Sequence, residues 1–146
     1  MQSLKKLETM NKTTPQQTAF VLLRIAMGVN FLGHGLSRFS KLNGFKDWMV
    51  TTFQDSLIPS FLVSAWGSIL PFVEFGIGLL LILGLFTYRA SIAGAIVITI
   101  LLFGSTLIEN WDWAGVQMIY ALFFFFIISN VDKNNWSLDQ LIHSKK

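Results

Sequence analysis

The sequence predicts an all-α integral membrane protein: an antiparallel four-helix bundle with an amphipathic interfacial helix in its first loop. Three observations carry this. Of 146 residues, 53% are hydrophobic and 13% charged, and the mean hydropathy is +0.57, whereas about a quarter of a soluble domain's residues are charged. Charged positions frame long uncharged gaps, 18 residues between Asp55 and Glu74, 19 between Arg89 and Glu109, and 19 between Asp112 and Asp132. A helix needs about 20 mostly apolar residues to cross a hydrocarbon core of about 30 Å. Finally, the alternating segments of about 10 residues that build a membrane β-barrel are missing, and an open sheet leaves its backbone unsatisfied in lipid. The aliphatic and aromatic content excludes disorder.

The first span is expected from Gln17 to Leu36, apolar except for Arg24, Asn30 and His34. It follows a basic stretch (Lys5, Lys6, Lys12) but is too long for the apolar region of a signal peptide and contains an arginine. The second runs from Val63 to Leu85 around Glu74, the third from Ala90 to Ile108 and the fourth from Ala114 to Val131. Between the first two, Phe45, Trp48, Met49, Thr52 and Phe53 recur at i, i+3, i+4, i+7 and i+8, while Lys46, Asp47, Gln54 and Asp55 lie largely off that stripe. This pattern predicts a helix lying in the membrane interface from about Gly44 to Asp55, ended by Pro59. The chain thus divides into a segment 1–16, a bundle 17–131 and a tail 132–146. Two helical hairpins are the natural decomposition of the bundle.

Lys and Arg set the expected orientation. With the N-terminus inside, Lys5, Lys6, Lys12, Arg89, Lys133, Lys145 and Lys146 face the cytoplasm, against Arg38, Lys41 and Lys46 outside. Seven against three places both termini in the cytoplasm of an inner-membrane protein. The net charge of +3 is this asymmetry; it is not clustered into a nucleic-acid patch. The absence of cysteine excludes thiol catalysis, disulfides and iron–sulfur clusters. Two histidines, one in the tail, cannot clamp a haem. The glycines form no phosphate-cradling loop, and the metalloprotease-type histidine–glutamate spacing is missing. No metal or covalent cofactor is expected.

Ionisable groups inside a span are costly and default to functional candidates. Phe20, Arg24, Met27, Gly28, Phe31, His34 and Gly35 share one helical stripe of the first span. Gly67, Pro71, Glu74, Gly78 and Leu81 share one of the second. Small residues on both permit close helix approach. Arg24 lies seven residues inside its span and Glu74 eleven from the end of its own, or about 10 and 16 Å deep. An extended arginine bridges that offset, which predicts an Arg24–Glu74 ion pair or one shared hydrogen-bonded network. Its role stays open between fixing helix register and serving a ligand or proton. At the outer end, His34, Glu109, Gln117 and Tyr120 suggest a polar pocket under Trp66, Trp111 and Trp113, which are read as interfacial anchors. Such a pocket suits a quinone headgroup while apolar helices hold the tail. The candidate binding residues are Arg24, His34, Glu74, Glu109 and Gln117. Phe123 to Phe126 go all round a helix, so some face lipid.

Several of these residues carry a family resemblance. Leu22-Leu23-Arg24, Gly28, Phe31, His34-Gly35 and Arg38 resemble the opening helix of DoxX-family membrane proteins. Gly44-Phe45 follows in the loop, then Pro71, Glu74, Gly78, Gly84-Leu85 and Thr87, and finally Trp136-Ser137-Leu138-Asp139-Gln140-Leu141, which is similar to that family's Ser-Leu-Asp ending. The likeness covers about Ala19 to Ile142, but Glu109-Asn110-Trp111-Asp112-Trp113 stands where a glycine-rich segment is usual. The resemblance implies a four-helix inner-membrane protein of bacteria. Some relatives are subunits of quinone-linked oxidoreductases such as thiosulfate:quinone oxidoreductase. Others serve responses to oxidative or thiol stress, and a distant animal relative is a receptor-assembly chaperone. The expectation is a subunit associated with a quinone-linked oxidoreductase or redox-stress complex. It would sit in the bilayer, dock a membrane or peripheral redox protein that brings the electron-transfer cofactor, and be capable of self-association. The alternatives are a non-catalytic scaffold docking through the loop helix, and a small-solute or proton pathway.

Overall fold

The structure, a computed structural model, describes residues 13–143. The expectations for Lys5, Lys6, Lys12, Lys145 and Lys146 lie outside the described residues. Six α-helices follow one another: α1 (Pro15–Phe39), α2 (Leu42–Thr52), α3 (Ser60–Leu83), α4 (Thr87–Leu107), α5 (Trp111–Ser129) and the short α6 (Leu138–His143), with a 3₁₀ turn at Val131–Lys133 before α6. Helices α1, α3, α4 and α5 are long and apolar enough to cross a membrane. Each extends its expected span by a few residues at one end or both.

Local chemistry explains the boundaries. α1 opens with a capping box: Thr14 accepts from the Gln17 amide, the Gln17 side chain accepts from the Thr14 amide, and Pro15 takes the first turn, where its missing N–H costs nothing. α3 ends at Gly84, whose φ of 64° supplies the left-handed residue of a helix stop. Asn110 caps α5 by accepting from the Trp113 amide. The interfacial helix is present as α2 but stops at Thr52, before Pro59. There the Ser56 hydroxyl takes the Phe53 carbonyl and receives the Ile58 amide, a local turn that competes with another helical round. Pro59 instead introduces α3.

The bundle is two tight pairs facing each other. α1 packs most extensively on α3, and α4 on α5, while the seams between the pairs are thinner. Glycines set the closeness of the first pair. A Cβ at Gly78 would lie 2.3 Å from the Leu32 backbone nitrogen, and one at Gly35 would lie 2.7 Å from the Pro71 carbonyl oxygen. Such backbone contact matters in lipid, where helices associate through packing rather than through a hydrophobic drive. In the second pair, Gly94 admits the Phe124 ring, which is fully buried and meets Phe31 edge-on at 5.4 Å. Its neighbours Phe125 and Phe126 are exposed, as four consecutive phenylalanines on a helix require. Leu22, Ile69, Ile96, Phe103 and Ile119 are likewise exposed on the four long helices, the apolar girdle that a bilayer covers. α2 lies against α3 at Gly67, where a Cβ would be 3.3 Å from the Lys46 Cα.

Candidate functional site

The charged residues of the spans separate to opposite ends of the bundle. Glu74 accepts from Arg38 Nη1 in an ion pair. Arg24 instead donates to the Asn134 side chain at 2.8 Å and to the Trp136 carbonyl at 3.0 Å. The expected Arg24–Glu74 pair therefore does not form, and helix register is the reason. Gly84, just past the end of α3, lies at the level of Arg24: a Cβ there would be 1.9 Å from Arg24 Nη1. α1 therefore runs on well beyond the end of α3, whereas the expectation had aligned the two ends. Gly78 meets Gly28 and Leu32, so Glu74, one turn on, sits near His34. That is ten residues, or about 15 Å, from Arg24.

At the Arg24 end the tail folds back onto the bundle. Asn134 gives its amide to the Thr87 hydroxyl at 2.9 Å, and Asp139 accepts from the Phe86 and Thr87 amides at 2.7 and 2.8 Å. Asp139 thereby caps α4 from 52 residues away and brings a negative charge to the positive end of its dipole. Phe86 holds a φ of 49° at this junction, a left-handed conformation that the Asp139 bond helps to hold.

At the other end, where the two pairs diverge, lies a cavity of about 610 Å³. Its floor is Phe31, Leu70 and Ile98, all buried. α2 forms one wall with the stripe read from the sequence: Phe45, Trp48, Met49 and Phe53 turn toward the cavity. Phe45 stacks on Trp48 at 5.8 Å, and Trp48 meets Trp113 of α5 at 5.7 Å. The Arg38 guanidinium sits 4.3 Å from the Phe45 ring centre, a cation–π contact. Arg38 thus holds α2 and α3 at once, through a ring and a carboxylate.

The polar lining is concentrated on α1, α3 and α5. His34, Glu74 and Gln117, three of the five candidates, line the cavity together. Arg24 is at the far end, and Glu109 is exposed in the turn between α4 and α5, outside the cavity lining. Asn30 and Tyr120 also line it and join α1 to α5, Asn30 Nδ2 donating to the Tyr120 hydroxyl at 3.1 Å. Trp66, expected at the interface, turns into the cavity, as does Trp113 at its rim, while Trp111 stays exposed. Three buried polar atoms, Asn30 Oδ1, Trp66 Nε1 and Gln117 Oε1, have no hydrogen-bond partner among the described residues. The missed residue was Arg38. The signal was present, because Arg38 continues the Arg24–Phe31–His34 stripe by one more turn once α1 is allowed to run to Phe39.

Four spans enclosing an apolar cavity with a polar end define a multi-pass membrane protein of the ligand-holding kind. A family model described as DoxX matches residues 19–110, and the chain belongs to the DoxX family. No curated protein and no solved structure matches it.

Proposed function

We propose that this DoxX-family protein is an inner-membrane subunit that holds a quinone-type amphiphile in the cavity and works with a redox partner. The observation that carries this reading is the set of orphaned polar atoms, Asn30 Oδ1, Trp66 Nε1 and Gln117 Oε1, on an otherwise apolar cavity of about 610 Å³. A buried polar atom without a partner costs about 1–3 kcal/mol, and a ligand headgroup in that position removes the cost. The cavity's size and its few convergent polar groups suit a ring with a short apolar extension. A bound quinone would supply two-electron redox chemistry. The chain's own residues position and enclose it: His34, Asn30 and Gln117 at the head, Glu74 held by Arg38 beside it, and α2 as the cover that excludes water. With no cysteine in the sequence, electrons must come from a partner protein.

The test is purification in mild detergent with mass spectrometry of co-extracted lipids and proteins. Quinone is expected with the wild-type chain, reduced at least several-fold in His34→Ala and Glu74→Gln samples of equal helicity. Recovery of a protein partner with no quinone in any sample would overturn this reading and leave a scaffold.

A further inference from the structure

Resting on that reading, we infer that the cavity selects the reduced, hydroxyl-bearing form of the ring over the oxidised, carbonyl-bearing form. The argument is one of hydrogen-bond polarity. Asn30 Oδ1 and Gln117 Oε1 are acceptors only, and both are buried without a partner. The Asn30 amide nitrogen is engaged by the Tyr120 hydroxyl, which leaves the Asn30 oxygen as the end without a partner. Tyr120 accepts in that bond and keeps its own hydrogen to give. Trp66 Nε1 can only donate. The cavity head therefore presents acceptors and donors together. A ring carbonyl can only accept, so it answers Trp66 and Tyr120 and leaves Asn30 and Gln117 unmatched. A ring hydroxyl donates and accepts, so it can answer all four. A site whose buried polar groups are left unpaired by one form discriminates against that form far more strongly than an apolar pocket discriminates by size.

Two substitutions separate the contributions. Gln117→Met keeps the length of the side chain and removes the acceptor, so it weakens the reduced form and spares the oxidised one. Trp66→Phe removes a donor that both forms can use, so it weakens both by a similar factor.

The experiment uses the full chain in lipid nanodiscs under anaerobic conditions. Equilibrium dialysis measures three probes: a short-chain quinone, its reduced form, and a prenyl alcohol of the same chain length. The reduced form is expected to bind about tenfold or more tightly than the oxidised one. A tenfold preference raises the midpoint of the bound two-electron couple by about 30 mV. Gln117→Met should collapse the preference to near unity, and Trp66→Phe should preserve it. Equal binding of the two forms by the wild-type chain overturns the inference and leaves the quinone reading standing. So does a prenyl alcohol that binds as tightly as the reduced ring, because a single hydroxyl would then suffice. No binding of either ring form overturns the inference and the quinone reading together.

Discussion

Arg38 and Glu74 show how much one buried ion pair organises. Their side chains are 19% and 5% exposed, and the pair joins the end of α1 to the middle of α3. Glu74→Gln leaves Arg38 beside the cavity without a counter-charge. Breaking a buried pair costs about 3–5 kcal/mol, and the partial exposure of Arg38 reduces this to roughly 2 kcal/mol. Thermal unfolding in detergent should show the drop, and the double variant Arg38→Met/Glu74→Gln should recover part of it, giving a non-zero coupling in the cycle. Additive losses would mean that the two side chains do not interact. At this scale the sequence was legible in kind but not in partner. Arg24 and Glu74 were recognisable as buried charges because nothing apolar explains them. Which charge meets which depends on the sliding register of two helices, and that is set by where Gly28, Gly35 and Gly78 let backbones touch.

Among the elements, the tail and the interfacial helix each do more than their sequence announces. Asp139 supplies both oxygens to the start of α4, a helix whose own N-terminal residue Phe86 offers no side-chain cap. Asp139→Ala should therefore lower stability by about 1 kcal/mol, the ordinary worth of a cap, with some added loss from the charge it holds near Arg24. Unfolding temperature and faster proteolytic cleavage within residues 130–143 would report it; unchanged cleavage would mean that the tail is held by other contacts. The Ser-Leu-Asp ending was visible as a pattern, but a contact spanning 52 residues leaves no periodic trace. α2 was legible because its apolar stripe repeats at helical spacing. Its end was not, because the Ser56 turn that stops it carries no proline or glycine.

For the whole molecule, charge gaps alone drew the four spans, since lipid tolerates few unpaired charges and helices must satisfy their own backbone. The cavity was only half legible. His34 and Gln117 were singled out, but Asn30 and Trp66 read as an ordinary polar residue and an anchor until the packing turned them inward. The positive-inside expectation has a direct test in a chain that lacks cysteine. A membrane-impermeant maleimide should label Leu57→Cys, 89% exposed beside the cavity end, in intact cells, and Asp132→Cys only after permeabilisation; the reverse pattern would invert the topology. The contact between Arg24 and Asn134 also has a meaning in time. The two residues lie 110 positions apart, which at about 5–20 residues per second separates their synthesis by roughly 5–20 s. Throughout that interval the first helix carries a guanidinium without its eventual acceptors. Only translation of the final stretch supplies them, so a ribosome that stalls early releases a chain bearing an unmatched charge, a mark that membrane quality control can read.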